Sequence, residues 1–329
     1  MMAKGSASFR RLKGPTNRLS RWLLLLTFLF GGFHHSTWAN DDFQQLLFIA
    51  SKKSAPYTNI IRQVQQQLPP HIKHKTVYSN QLTNHALPGF ADIDIIIALG
   101  TKATSQAIAS NATSQPQLTP IVATLITEQA FSKLKQKERQ HNPRINFQKV
   151  VLFPIDQPIE RFVLLAKNIM PTANSLGIMI GPNTQPHVDR ITTKAKSLFA
   201  KVSSSKIGVN DNPIHSLGPT IKSSDIFIAL PDKQNINLAT SKWILQLGQR
   251  NRVPIIAFSQ KYTQAGALAS IYYSPNDIAK SISSWIKNPG HKIQPFTVGI
   301  NRNVAKALRL QLKDAAVYAA LIEEQERQQ

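Results

Sequence analysis

The chain of 329 residues contains no cysteine. That single absence removes disulfides, thiol nucleophiles, thiolate metal sites and the thioether-linked lipid of a lipoprotein. Acidic residues are also scarce, with 17 against 39 basic ones. Motifs for chemistry are missing as well. No Gly-x-Ser-x-Gly elbow is present, and neither a Gly-x-Gly-x-x-Gly fingerprint nor a phosphate-binding loop follows an apolar run. Of the nine histidines, the one close pair beyond residue 40 is His71-Ile-Lys-His74. It has a lysine inside it and no acidic neighbour, so a helical zinc motif is excluded and a solvated loop is expected. Neither a metal nor a cofactor is expected.

No apolar run reaches the roughly 20 residues that cross a bilayer as a helix. The longest, Trp22-Leu-Leu-Leu-Leu-Thr-Phe-Leu-Phe30, follows a start that carries Lys4, Arg10, Arg11, Lys13, Arg18 and Arg21 and no acid. A polar stretch then ends at Thr37-Trp38-Ala39. Basic start, short apolar run and small residues together predict a signal peptide over residues 1–39, cleaved near Ala39, and a soluble periplasmic product. Without the leader's six cations, 33 basic residues face 17 acidic ones, a balance of +16. Such a balance raises nucleic acid and anionic membranes as partners. The cations are scattered, without a long Lys/Arg run, and the chain is exported. Nucleic acid is therefore not expected, and membrane contact is expected to be peripheral only.

What is present is a repeat. Asp94-Ile-Ile-Ile-Ala-Leu-Gly100 returns as Asp225-Ile-Phe-Ile-Ala-Leu-Pro231, and Pro120-Ile-Val-Ala-Thr124 returns as Pro254-Ile-Ile-Ala-Phe258. Leu46-Leu-Phe-Ile49 has its counterpart in Leu176-Gly-Ile-Met-Ile180. The apolar runs are short and continuous rather than alternating, which predicts strands buried on both faces of a parallel sheet. Amphipathic stretches between them, such as Tyr57–Leu68 with Ile60, Ile61, Val64 and Leu68 on one face, predict helices. The expected fold is α/β, with two doubly wound parallel-sheet lobes and a cleft between them. The expected boundaries are 41–148 plus about 268–293 for lobe 1, and 149–267 plus about 294–329 for lobe 2. The polar stretch Lys133–Lys149 is expected to carry the first crossing, and Arg302–Gln329 to pack on a lobe or fray.

Ligands of open parallel sheets lie beyond the carboxyl ends of the strands, where helix N-termini point. The loops at those ends supply Ser51, Tyr57, Gly100, Thr101, Asn183, Asp232, Ser259 and Tyr262 as candidate ligand-binding residues. Lys52, Lys53, Lys102, Lys233 and Lys261 fall in the same loops and would focus a positive potential there. Thr101 and Ser51, with the N–H groups of a helix start, would take a ligand's anionic group. Asp232 would meet an ammonium, and Tyr57 or Tyr262 would cover an apolar part. On this reading Asp232→Ala weakens binding and leaves the ligand-free melting temperature nearly unchanged. Asp94 and Asp225, at the opposite strand ends, are expected to cap structure.

Several segments resemble the ABC-transporter substrate-binding family typified by tryptophan- and tyrosine-binding proteins. They are Ala229-Leu-Pro-Asp232, Pro254-Ile-Ile-Ala-Phe through Gly266-Ala-Leu-Ala-Ser270, Asp156-Gln-Pro-Ile-Glu-Arg161 with Met170-Pro171, and Ile300-Asn-Arg-Asn-Val-Ala-Lys-Ala-Leu308. They fall in the family order across most of residues 45–310. The family's Asp-Pro after the fourth strand is replaced here by Thr127-Glu128. The resemblance implies a type I periplasmic-binding-protein fold, lobes that close over a small-molecule ligand, and delivery to an ABC transporter permease rather than catalysis. The expected ligand is amino-acid-like or otherwise carboxylate-bearing. Two other readings are a ligand-sensing or scaffold partner of a membrane sensor, and a two-domain cleft enzyme. The enzyme needs a carboxylate pair or a nucleophile with its base, and of these the loops supply only Asp232.

Overall fold

A computed structural model describes residues 45–82, 93–114, 119–143, 145–208 and 211–328. The expected leader and its cleavage point lie outside the described residues.

The first sheet has the order β2-β1-β3-β4-β5, with β1 Gln45–Ala50, β2 Lys73–Tyr78, β3 Ile95–Leu99, β4 Ile121–Thr124 and β5 Val150–Phe153. All of its pairings are parallel. Its core strands bury alternate residues into two different clusters. Leu46, Phe48, Ile95, Ile97 and Leu99 face one, and Leu47, Ile49, Ile96 and Ala98 face the other. Burial on both faces is why these runs are continuously apolar.

Helix α1, Ala55–Gln67, carries Pro56 in its first turn and buries Ile60, Ile61 and Val64 against the first face. It stops at Leu68, ahead of Pro69, where the residue before a proline avoids helical geometry. Helix α2, Thr101–Ser114, and α3, Glu128–His141, cover the other face through Ala103, Ala107, Ile108, Phe131 and Leu134.

The second sheet repeats this order. It runs β11-β10-β9-β8-β6-β7, with β6 Ser175–Ile180, β7 Lys201–Lys206, β8 Ile226–Ile228, β9 Ile255–Ala257 and β10 Ala269–Tyr272. Strand β11, Thr297–Ile300, is added antiparallel on β10. Strands β6 to β10 thus stand in the places of β1 to β5, and the sequence repeat is a repeat of sheet topology.

One face is covered by α4, Glu160–Ile169, α5, Val188–Lys196, and the C-terminal α11, Ala315–Arg327. Leu217, Ile221 and Ile244 reach the other face from α6, Pro213–Lys222, and α7, Leu238–Asn251. The short α8, Gln260–Ala265, adds Tyr262 to this face, and α10, Arg302–Ala307, adds Ala305 to the first one. Helix α9, Pro275–Lys287, leaves the second sheet and packs on α1, burying Ile278, Ile282, Trp285 and Ile286 in the first lobe's core. A reciprocal capping box between Ser274 and Asp277 starts it.

The boundaries differ from those expected. Strand β5 pairs with β4, Ile121 opposite Val150, so the first crossing follows Phe153 instead of preceding Val150. Strand β10 pairs with β9 and β11, so lobe 1 regains the chain at α9 rather than at residue 268. Within Lys133–Lys149, the stretch up to His141 is the end of helix α3, with Phe131 and Leu134 buried. Of Arg302–Gln329, Tyr318 and Ile322 are buried in the second lobe, so this segment packs. Asp94 and Asp225 cap as expected. Asp94 Oδ2 accepts from Gln45 N, and Asp225 Oδ2 accepts from Asn174 N and Ser175 N. The Ser175 hydrogen bond leads in holding the Asp225 carboxyl below its usual range.

Candidate functional site

The lobe 1 candidates come together at the end of β3. Gly100 has φ +91°, a conformation that favours glycine, and a methyl group there would sit 2.7 Å from Ser51 Oγ and 3.0 Å from Tyr57 OH. Ser51 Oγ accepts from Ala103 N in the first turn of α2. Thr101 and Lys102, at the open start of that helix, are exposed. A hydroxyl pair, a glycine and a helix start with uncommitted N–H groups can receive an anion.

The lobe 2 candidates separate into two groups. Asn183 and Asp232 belong together, but not as expected. Asp232 is only 3% exposed, and its carboxylate accepts from Asn183 N at 2.8 Å and from Gln234 N at 3.0 Å. Gly181 allows this approach, since a methyl group there would lie 2.3 Å from Asp232 Oδ2. Asp232 thus clasps the loop after β6 to the loop after β8, and a carboxylate engaged by two backbone donors is not presented to a solute's ammonium.

Tyr262 belongs to the core of lobe 2, and Ser259 is half-buried beside it. Ser259 caps α8 by accepting from Tyr262 N. Tyr262 is 5% exposed and packs edge-on to Phe258 at 5.6 Å, so its ring is packed within lobe 2 rather than displayed on the loop surface. Burial pushes its phenol well above the usual range, with Ser241 opposing.

The lobes meet at a place the loop inventory omits. Asn183 Nδ2 in lobe 2 donates to Gln129 Oε1 on the first turn of α3, at 3.1 Å. Asn183 Oδ1 is buried and has no hydrogen-bond partner among the described residues. Beside this contact, Asp156 in the first crossing accepts from Glu128 N at 2.7 Å, while Thr127 Oγ1 accepts from Ala130 N. Glu128, Lys233 and His187 all act electrostatically on Asp156. Lys292 lies 5.3 Å from the Phe153 ring. Burial lowers the pKa of its ammonium, and Glu128 opposes that. The signal for this region was a capping threonine, Thr127, ahead of Phe131 and Leu134. It was weak because only those two side chains of α3 are fully buried.

Burial also raises the Asp156 carboxyl above 3.8, ahead of the Glu128 hydrogen bond that lowers it. A carboxyl raised by folding is penalised for ionising. That penalty is absent below pH 3.8 and is complete only above the raised value. Asp156→Asn retains an acceptor for Glu128 N. It is expected to raise the ligand-free melting temperature at pH 7 by less than about 3 °C. The gain should fade as the pH is lowered toward 3.8. Melting curves across that range decide it, and an equal gain at all pH values would exclude the ionisation cause.

Among the described residues no three His, Asp or Glu side chains converge as metal ligands, and no helix is long and apolar enough to cross a membrane. Residues 78–320 match the profile of the ABC transporter substrate binding protein family. The chain belongs to that family. Its proteins bind small molecules, work with membrane permeases outside the cytoplasm, and are binders rather than enzymes.

Two solved structures share the type I periplasmic-binding fold of this substrate-binding protein. One is a ligand-free, open substrate-binding protein with adhesive properties from Clostridium difficile, 14% identical, with a TM-score of 0.60 over 82% of this chain and 96% of that one. The other is a conserved domain protein from Vibrio cholerae O1 biovar El Tor, 15% identical, with a TM-score of 0.50 over 84% of this chain and 97% of that one. No curated protein matches the sequence.

Proposed function

We propose that this substrate-binding protein captures a small amino-acid-like solute between its lobes, in the periplasm, and presents it to an ABC permease. The observation that carries this reading is the Asn183 side chain. Its backbone is held by Asp232 and its amide nitrogen by Gln129, so Oδ1 is a fixed, buried acceptor without a donor. Leaving such an atom unpaired costs about 1–3 kcal/mol, which a solute N–H would recover. The start of α2 at Gly100 and Thr101, with Ser51 and Tyr57 beside it, offers the opposite chemistry and suits a carboxylate. A solute with an N–H donor and a carboxylate satisfies both.

The test is a thermal-shift screen of amino acids, short peptides and carboxylic acids on mature protein recovered from the periplasm, whose first residue should lie near Asn40. Calorimetry on the hit should then show Asn183→Ala binding about ten- to a hundred-fold more weakly. Thr101→Val should bind only a few-fold more weakly, because the helix-start N–H groups stay. The reading fails if the hits lack an N–H donor, or if Asn183→Ala binds like the parent.

A further inference from the structure

The outer face of α3 is a feature that solute binding does not use. Lys133, Lys135, Lys137 and Arg139 stand on this helix, and none of them makes an ion pair among the described residues. Lys133 with Lys137, and Lys135 with Arg139, are like charges four residues apart, an arrangement that destabilises a helix. The one acid among them, Glu138, is turned to α2, where it accepts from the Ser105 hydroxyl at 2.6 Å.

Lys135 Nζ and the Arg139 guanidinium lie 5.5 and 5.3 Å from the centroid of the same Phe147 ring. The ring orients both cations. They line a shallow depression of about 470 Å³ together with Ser132, Gln136 and Gln140. Residues 45–153 as a whole carry 12 lysines and arginines against 4 acidic residues.

We propose that this face of α3 adsorbs lobe 1 onto anionic phospholipid headgroups. Positive charge held against its own repulsion implies a partner that supplies negative charge. Two features favour a lipid surface over an acidic protein. The cations recur at every second residue from 133 to 139, which spreads them around both flanks of the helix instead of aligning them in one register. Among the described residues the face also has no exposed large apolar side chain, since Ile155, Ile214, Leu238 and Val317 all lie off α3 and the Phe147 ring is half-buried beneath its two cations. Protein interfaces keep an apolar core, whereas a fluid headgroup layer needs only charge and hydrogen-bond donors, which Ser132, Gln136 and Gln140 add.

Co-sedimentation of the mature protein with vesicles tests this. Binding is expected to phosphatidylcholine vesicles that contain phosphatidylglycerol, and not to phosphatidylcholine alone. Raising ionic strength from about 0.1 M to about 1 M shortens the screening length from about 10 Å to about 3 Å and should release the protein. Each headgroup-facing cation contributes about five-fold in partitioning, so Lys133→Gln, Lys135→Gln, Lys137→Gln and Arg139→Gln together should weaken binding roughly a hundred-fold or more. Removing four exposed lysines of lobe 2, Lys196, Lys201, Lys222 and Lys242, should weaken it far less. Equal losses in the two quadruple variants overturn the proposal by making adsorption a property of net charge. Absence of binding to the anionic vesicles overturns it too, as does capture by an acidic protein without vesicle binding.

Discussion

Replacing Asp232 by alanine is expected to lower the melting temperature of the ligand-free protein by about 5–10 °C and to weaken solute binding at least tenfold. Its carboxylate is the acceptor for two backbone N–H groups, those of Asn183 and Gln234, in a site almost closed to water. Alanine leaves both donors without that acceptor. At about 1–3 kcal/mol per unsatisfied buried group, and with neighbouring loops relaxing in part, the loss is about 2–4 kcal/mol. In a protein of this size each kcal/mol moves the melting temperature by about 2–4 °C. Binding suffers by a separate route, because Asn183 loses the anchor that presents its Oδ1. Asp232 is therefore a positioning residue. Asp232→Asn, which retains an acceptor, should recover part of both effects. Melting curves and calorimetry on the two variants separate the roles. An unchanged melting temperature with lost binding would return Asp232 to the solute-contacting part that its place in the sequence suggested.

That contrast shows where local sequence stops being informative. The strands that carry most of the signal, such as Ile95–Leu99 and Ile226–Ile228, are buried on both faces, so they are apolar at every position and stand out as runs. Their repetition carried the two-lobed topology. The edge strands β2 and β7, Lys-His-Lys-Thr-Val-Tyr and Lys-Val-Ser-Ser-Ser-Lys, face water on much of their surface and read as loop or helix. His71 and His74 are exposed beside or on such an edge. Strand β5 was visible, but nothing within Val-Val-Leu-Phe says which sheet it joins; the pairing of Ile121 with Val150 decides that.

The site follows the same logic. A rule about strand ends locates Ser51, Tyr57, Gly100 and Thr101 together because their grouping depends on adjacent strands of one sheet. It cannot say whether a loop side chain turns toward the other lobe or back into its own. Tyr262 and Asp232 turn back, Asn183 crosses, and Gln129 meets it from the helix start after β4, a strand end that the candidate loops left out.

The C-terminal helix carries the other large expectation. Arg161 on α4 is 9% exposed. Its guanidinium donates to both carboxylate oxygens of Glu326 at 2.6 and 2.9 Å and to Gln157 Oε1, and it lies 4.1 Å from the centre of the Phe296 ring. Glu326→Ala leaves this charge with only the neutral partners Gln157 and Tyr273 and a ring. Breaking a buried pair on one side costs about 3–5 kcal/mol, and the partial exposure of Glu326 reduces that to about 2–4 kcal/mol. The melting temperature should fall by about 5–10 °C. Arg161→Met combined with Glu326→Leu removes the stranded charge and fills the space with apolar atoms, so the double variant should regain most of the loss. Tyr318 and Ile322, at 2% and 0% exposure, keep α11 docked in both variants, which confines the effect to the ion pair. Denaturant unfolding of the parent, of Arg161→Met and Glu326→Leu singly, and of the variant that combines them should give a coupling energy above about 1 kcal/mol. Additive losses would mean that α11 is held by its apolar face alone and that Arg161 is no clamp.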